Sequence, residues 1–128
     1  MKKYLLDSSF VMDLLNEMAD NDDEGPALRW LKQHRRAHLW VSPVTLAEVL
    51  EGAEDHEAVK VYLGRYAWQG IHRIQAERVA LRQKRAAKRM GQNDAWQAAV
   101  AECMEGRVLG HDQAFVTLGA AYEDYRLA

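Results

Sequence analysis

Cysteine is almost absent from this 128-residue sequence: Cys103 stands alone, so no intramolecular disulfide can form and nothing implies an oxidising compartment. Proline is nearly as scarce, with two in the chain, and no Pro- or Ser-rich stretch marks a linker. No run approaches the ~20 apolar residues that span a bilayer. The apolar start breaks at Asp7, too soon for a secretion signal, so no membrane partner and a cytoplasmic location are expected. A Gly-rich loop ending in Lys is missing, which argues against a nucleotide hydrolase of the phosphate-loop kind. Neither sign of charge is in large excess: the net charge of −2 excludes a globally basic protein but leaves room for a local basic face. His34, His38, His56, His72 and His111 are scattered, so no zinc pattern emerges.

What remains is ordinary globular composition, 48% hydrophobic and 28% charged. Residues 1–128 are read as a single domain able to bury a sizeable core. Tyr4–Leu6 is an apolar run and reads as a first strand. Phe10 to Glu17 has helical spacing, and Pro26 suits the first turn of a second helix. His38–Val41 reads as a strand, followed by Ser42 as cap and Pro43 as first residue of a helix to Glu51. A helix from His56 to Trp68, a strand at Ile71–Ile74, a long helix Gln75–Met90 and a helix Asp94–Glu105 capped by Asn93 or Asp94 come next. Arg107–Leu109 closes as a strand, with a brief helix from Asp112 to Leu118 and an edge strand within Tyr122 to Ala128. Strands alternating with helices predict an α/β domain with a mainly parallel sheet.

Four acids occupy particular places in this pattern. Asp7 follows the first strand and Asp112 the strand Arg107–Leu109; Asp94 opens a helix; Glu48 sits in the apolar turn Leu46-Ala47-Glu48-Val49-Leu50. Each has a plain structural role available, as a cap, a first-turn acid or a solvated helix residue. Together they suggest more, because strand ends in one parallel sheet lie side by side and ligands bind beyond their carboxyl ends. Carboxylates brought together raise one another's pKa, a cost that a cation removes. Hard oxygen donors without His or Cys point to Mg²⁺ or Mn²⁺.

The segments Leu5-Leu6-Asp7-Ser8-Ser9, Thr45-Leu46-Ala47-Glu48-Val49-Leu50-Glu51-Gly52, Gly91-Gln92-Asn93-Asp94 with Ala98 to Ala101, and His111-Asp112-Gln113-Ala114-Phe115 resemble, in order and spacing over nearly the whole chain, those of the PIN-domain ribonucleases, especially VapC-type toxins. The resemblance implies a three-layer α/β/α sandwich and hydrolysis of RNA phosphodiester bonds. Asp7, Glu48 and Asp94 would hold Mg²⁺ or Mn²⁺, and Asp112 would act through water or on a second ion. It also implies a cognate antitoxin and a homodimer. One position departs from the pattern: members usually carry Ser or Thr two residues before the last acid, to support the metal site, where this chain has Gly110. Ser9 and Thr45 are the other hydroxyls that could back the acids.

Arg73, Arg78, Arg82, Lys84, Arg85, Lys88 and Arg89 crowd the segment before Asp94, while Asp13 to Glu24 is acidic. Arg82, Arg85, Lys88 and Arg89 are candidate RNA-phosphate contacts, against the alternatives of a solvated helix face or an antitoxin dock. Trp30, Trp40, Trp68 and Trp96 could stack on bases or fill core, and His111 could touch substrate. Two other readings stay open: a metal-independent ribonuclease using Arg29 and His34, which resembles an all-helical family, and an inactive PIN-like module that only binds antitoxin or nucleic acid.

Overall fold

The computed structural model describes residues 2–127. Five strands, β1 (Lys3–Leu6), β2 (His38–Val41), β3 (Ala67–Trp68), β4 (Arg107–Gly110) and β5 (Tyr122–Asp124), form one sheet in the order β3-β2-β1-β4-β5. Every pairing is parallel. The helices are α1 (Ser8–Ala19), α2 (Pro26–Gln33), α3 (Pro43–Gly52), α4 (His56–Leu63), α5 (Arg73–Arg85) and α6 (Gln92–Cys103), and a 3-10 segment covers Gln113–Ala121.

The period of the strands sorts the core into two layers. Tyr4 and Leu6 of β1 and Leu109 of β4 face Phe10, Val11, Leu14, Trp30, Val49 and Val59, which come from α1 to α4. Leu5 and Val108 point the other way, onto Val100, Ala101 and Met104 at α6 and Phe115 of the 3-10 segment. Helix α5 packs on α6 through Val79, Ala95 and Ala99. This is the α/β/α sandwich with both sheet faces covered, and continuous apolar strands such as Tyr4-Leu5-Leu6 are what a sheet buried on both faces requires.

From β1 the chain steps outward to β2 and β3, then crosses back through α5 and α6 to lay β4 on the other side of β1. The reversal falls between β1 and β4, the switch point beyond whose carboxyl ends open parallel sheets bind their ligands. Residues 5 and 6 of β1 pair with Val108 and Leu109, and the Asp7 N–H donates to the Leu109 carbonyl at 2.9 Å.

Several boundaries differ from those expected. Helix α1 begins at Ser8, because Asp7 itself caps it, its side chain accepting from the Ser9 N–H. The expected helix His56–Trp68 stops at Leu63 with Gly64 closing it, and Trp68 instead pairs with Val41 in β3. Ile71 and His72 are not strand, and Ile74 already lies in α5. Helix α5 ends at Arg85 rather than continuing to Met90. The buried Gln83 exchanges two hydrogen bonds with the Met90 backbone, at 2.9 and 3.0 Å, and so holds residues 86–90 as a returning loop. Helix α6 starts at Gln92 with Gly91 as its cap and ends at Cys103, two residues before Glu105, whose φ of 56° is left-handed. Asp94 is therefore a first-turn acid and not the cap. The last strand is confined to Tyr122–Asp124; Ala128, included in the expected edge segment, lies outside the described residues.

Candidate metal and nucleic-acid site

Asp7 stands at the carboxyl end of β1, 3% exposed. Its Oδ2 accepts hydrogen bonds from the Ser9 hydroxyl at 2.7 Å and the Ser9 N–H at 3.3 Å. Burial raises its pKa; the Ser9 hydrogen bonds partly offset that, and the charges of Glu48 and Asp112 add to the rise. Asp94, half-buried on the first turn of α6, is pushed up to about 6, first by burial and then by Asp112, Asp7 and Glu48. Charges from separate segments thus add to the burial that raises Asp7 and Asp94: Glu48 and Asp112 act on both, and Asp7 acts on Asp94.

Glu48 is half-buried on α3, where Oε1 accepts from the Ser8 hydroxyl at 3.1 Å and Oε2 from the Asn93 amide at 3.4 Å. These contacts tie α3 to the start of α1 and to the first turn of α6. Asp112 is exposed and caps the 3-10 segment, its Oδ1 accepting from the Ala114 N–H at 2.9 Å. Both strand-end acids therefore do serve as caps, and capping leaves the outer oxygen of each carboxylate without a protein partner among the described residues.

A buried polar ladder holds the floor beneath Asp7. The Thr45 hydroxyl donates to the Leu6 carbonyl at 2.7 Å and accepts from the Gln97 amide at 2.8 Å, while Ser42 donates to Gln97 Oε1 at 2.7 Å. Thr45 thus anchors the backbone one residue before Asp7 and, among the described residues, has no bond to an acid side chain. Gln97 is fully buried and joins α6 to α3, yet sequence reasoning passed it over. The signal available was a lone amide one turn past Asp94, amid the alanines of α6.

Gly110 and Ser9 occupy one space. A Cβ on Gly110 would lie 2.9 Å from Asp7 Cβ, 3.0 Å from Ser9 Oγ and 3.2 Å from Asp7 Oδ2. The Ser9 hydroxyl sits where a residue-110 side chain would go, bridging Asp7 Oδ2 and the His111 N–H, the latter at 3.0 Å. The hydroxyl expected from residue 110 is thus supplied from α1.

The basic segment is divided between two elements. Arg78 and Arg82 of α5 both bind Glu102 at 2.9 Å, so their charge is partly spent within the protein. Arg85 ends α5, whereas Lys88 and Arg89 lie on the loop leading to Gly91; all three are exposed and, among the described residues, have no ion-pair partner. A groove of about 560 Å³ runs beside Arg85 and Lys88 over Leu81 and Met90. Trp30 is core; Trp68 is half exposed at the sheet edge; Trp40 and Trp96 are half-buried. Arg29 is exposed, and His34 stacks on Trp30 at 3.9 Å with Nδ1 on the Trp30 carbonyl, which gives that pair a packing role.

The donor chemistry of Asp7, Glu48, Asp94 and Asp112, all carboxylate oxygens, suits a hard divalent cation. As placed, no three Asp, Glu, His or Cys side chains among the described residues stand close enough to enclose an ion. Glu48 is turned to Ser8 and Asn93 and Asp7 to Ser9, the posture expected of acids that repel.

An open parallel sheet with interacting acids at its switch point defines a class of α/β domains built to work on ligands at the strand ends. The family follows from the sequence itself: residues 4–120 match the PIN domain, and the chain belongs to that family. Solved structures share its architecture. A toxin–antitoxin complex from Klebsiella pneumoniae contains a chain 21% identical with a TM-score of 0.75, covering 95% of this chain and 97% of that one. DNA-bound VapBC from Salmonella typhimurium gives 18% identity, a TM-score of 0.74 and coverage of 98% and 99%. FitAcB from Neisseria gonorrhoeae gives 20%, 0.72, and coverage of 95% and 97%. At these identities the likeness is one of fold. Among curated proteins none matches the chain.

Proposed function

We propose that this protein is a Mg²⁺- or Mn²⁺-dependent endoribonuclease, the toxin of a type II toxin–antitoxin pair. The observation that carries the reading is the gathering of four carboxylates from β1, α3, α6 and the end of β4, where burial first, and then the charges of Asp112, Asp7 and Glu48, push Asp94 up to about 6. Asp7, Glu48 and Asp94 would hold the cation, and Asp112 would act through water or on a second ion. When bound, the cation supplies an activated water and screens charge on the phosphate. Ser9 fixes one oxygen of Asp7 and leaves the other for the ligand. Thr45 and Gln97 keep the end of β1 in place. Arg85, Lys88 and Arg89, with Arg82 behind them, guide RNA phosphates toward the acidic pocket, which could not attract them by itself.

The partner belongs to the same reading. Several proteins of this fold were solved with an antitoxin, and an apolar groove of about 560 Å³ between α1, α3 and α4, floored by Leu15 and Val49 and rimmed by Glu54 and Asp55, suits a basic amphipathic helix. A homodimer and a cytoplasmic location complete it; exposed Val61, Trp68 and Ile74 are apolar surface available for self-association.

The test is cleavage of a mixed RNA pool by purified protein with Mg²⁺, Mn²⁺ or EDTA, beside Asp7→Asn. Cleavage that needs both the metal and Asp7 is expected. A folded Asp7→Asn protein with full activity, or cleavage that survives EDTA, would sink the assignment.

A further inference from the structure

Beside Asp112 a separate cavity of about 400 Å³ opens between the 3-10 segment and β5. Its volume falls in the range of small-ligand pockets, about 300–1,000 Å³. His111, Gln113, Val116, Tyr122 and Asp124 line it together with Asp112. No Lys or Arg does, and two carboxylates do, so an anionic phosphate is disfavoured there.

What the walls offer is planar and amphipathic. The His111 ring is 45% exposed yet held, its Nδ1 lying 3.1 and 3.0 Å from the two oxygens of Asp124. That contact, with the His111 N–H bonded to Ser9, fixes an imidazole plane at the mouth. The Tyr122 hydroxyl is taken up by the Asp112 N–H and the Gly110 carbonyl, so its remaining contribution is ring surface. Val116 is 55% exposed, an aliphatic wall that water covers at a cost. Gln113 is exposed, and among the described residues its amide has no hydrogen-bond partner.

We infer that this cavity is a nucleobase subsite, which receives the base of a nucleotide next to the scissile phosphate and prefers one bearing an exocyclic amine. The inference rests on the RNA-cleaving reading above. A base stacks on the fixed imidazole and on Tyr122, its edge meets the Gln113 amide, and the acidic lining accepts from an amino group where it would repel a phosphate. Its phosphate then falls beside the four acids, whose charge a bound cation would screen, since Asp112 belongs to both.

The test measures binding, apart from cleavage. Fluorescence anisotropy of labelled oligo-A, oligo-C and oligo-U is followed with the Asp7→Asn protein, then with Gln113→Leu and His111→Ala each added. Oligo-A and oligo-C are expected to bind about fivefold to tenfold tighter than oligo-U, and each added substitution to flatten that difference. Gln113 is exposed, so its substitution leaves the fold intact should His111→Ala disturb the Asp124 contact. Equal affinity for all three oligomers, or a preference unchanged in Gln113→Leu, overturns the subsite. Loss of affinity for all oligomers alike would show a phosphate contact instead and also overturn it. A failure here leaves metal-dependent cleavage by the wild type untouched, and a failure of that cleavage leaves this binding result readable.

Discussion

Replacing Asp94 by Asn should make the metal-free protein more stable at neutral pH while destroying its function. Asp94 is held at about 6 in the folded chain against an ordinary 3.8. The folded state therefore binds more protons than the unfolded state across that window, and stability falls as pH rises from 3.8 to about 6. Below it both states are protonated and the cost vanishes; above it the cost is complete. At about 1.4 kcal/mol per pH unit the ceiling is about 3 kcal/mol. Asp94 is only half-buried, so solvent screening reduces this to ~1–2 kcal/mol. Against it stands the favourable position of an acid in the first turn of α6, worth ~0.3–1 kcal/mol and lost in the variant. No hydrogen bond to the Asp94 carboxylate is found among the described residues, so Asn gives up no partner. The net expectation is a gain of ~1 kcal/mol, a rise in Tm of about 3–5 °C, in EDTA at pH 7.5. The gain should disappear near pH 4, and Mg²⁺ or Mn²⁺ should reverse the order by stabilising only the wild type. Thermal denaturation at the two pH values decides. A variant less stable than the wild type at pH 7.5 without metal, or a difference that ignores pH, would refute the raised pKa of Asp94.

Gly110→Ala should destabilise by ~1–3 kcal/mol through crowding of Asp7 and Ser9, and Ser9→Ala in the same chain should recover part of that loss, which urea denaturation of the single and double variants checks. Arg85→Glu with Arg89→Glu should weaken RNA binding, lower the salt dependence by about one counterion per lost contact and leave Tm unchanged; unaltered RNA affinity would return these residues to a merely solvated face.

Much of this architecture was legible in the residues. Tyr4-Leu5-Leu6, His38–Val41 and Arg107–Leu109 show themselves as strands, and Ser42-Pro43 and Gly52 bound α3 nearly as the structure has it. Asp7 and Asp112 were placed by the simple fact that both follow strands, and the parallel sheet makes those strands neighbours. Local signals failed where tertiary contacts decide. Strand β3 is two residues long and owes its form to pairing with β2, so in the sequence the preceding helical pattern runs through it. The sequence pattern carries α5 on to Met90 with Gly91 as terminator, whereas Gln83 and Met90, seven residues apart, bind each other and end it at Arg85. Gly110 looked like a missing hydroxyl, because only the folded chain brings Ser9 into the space a residue-110 side chain would take. The Ser42–Gln97–Thr45 ladder was hidden for the same reason, its members being 55 and 52 residues apart.

The central claim is that Asp7, Glu48, Asp94 and Asp112 form one divalent-cation site, and a Mn²⁺ titration of thermal stability at pH 7.5 addresses it directly. At a hundredfold excess over Kd the ion should stabilise the wild type by about 2.7 kcal/mol, a rise in Tm of several degrees, and should leave Asp7→Asn nearly unmoved. A wild type that does not respond, or an Asp7→Asn protein that responds equally, would contradict the claim.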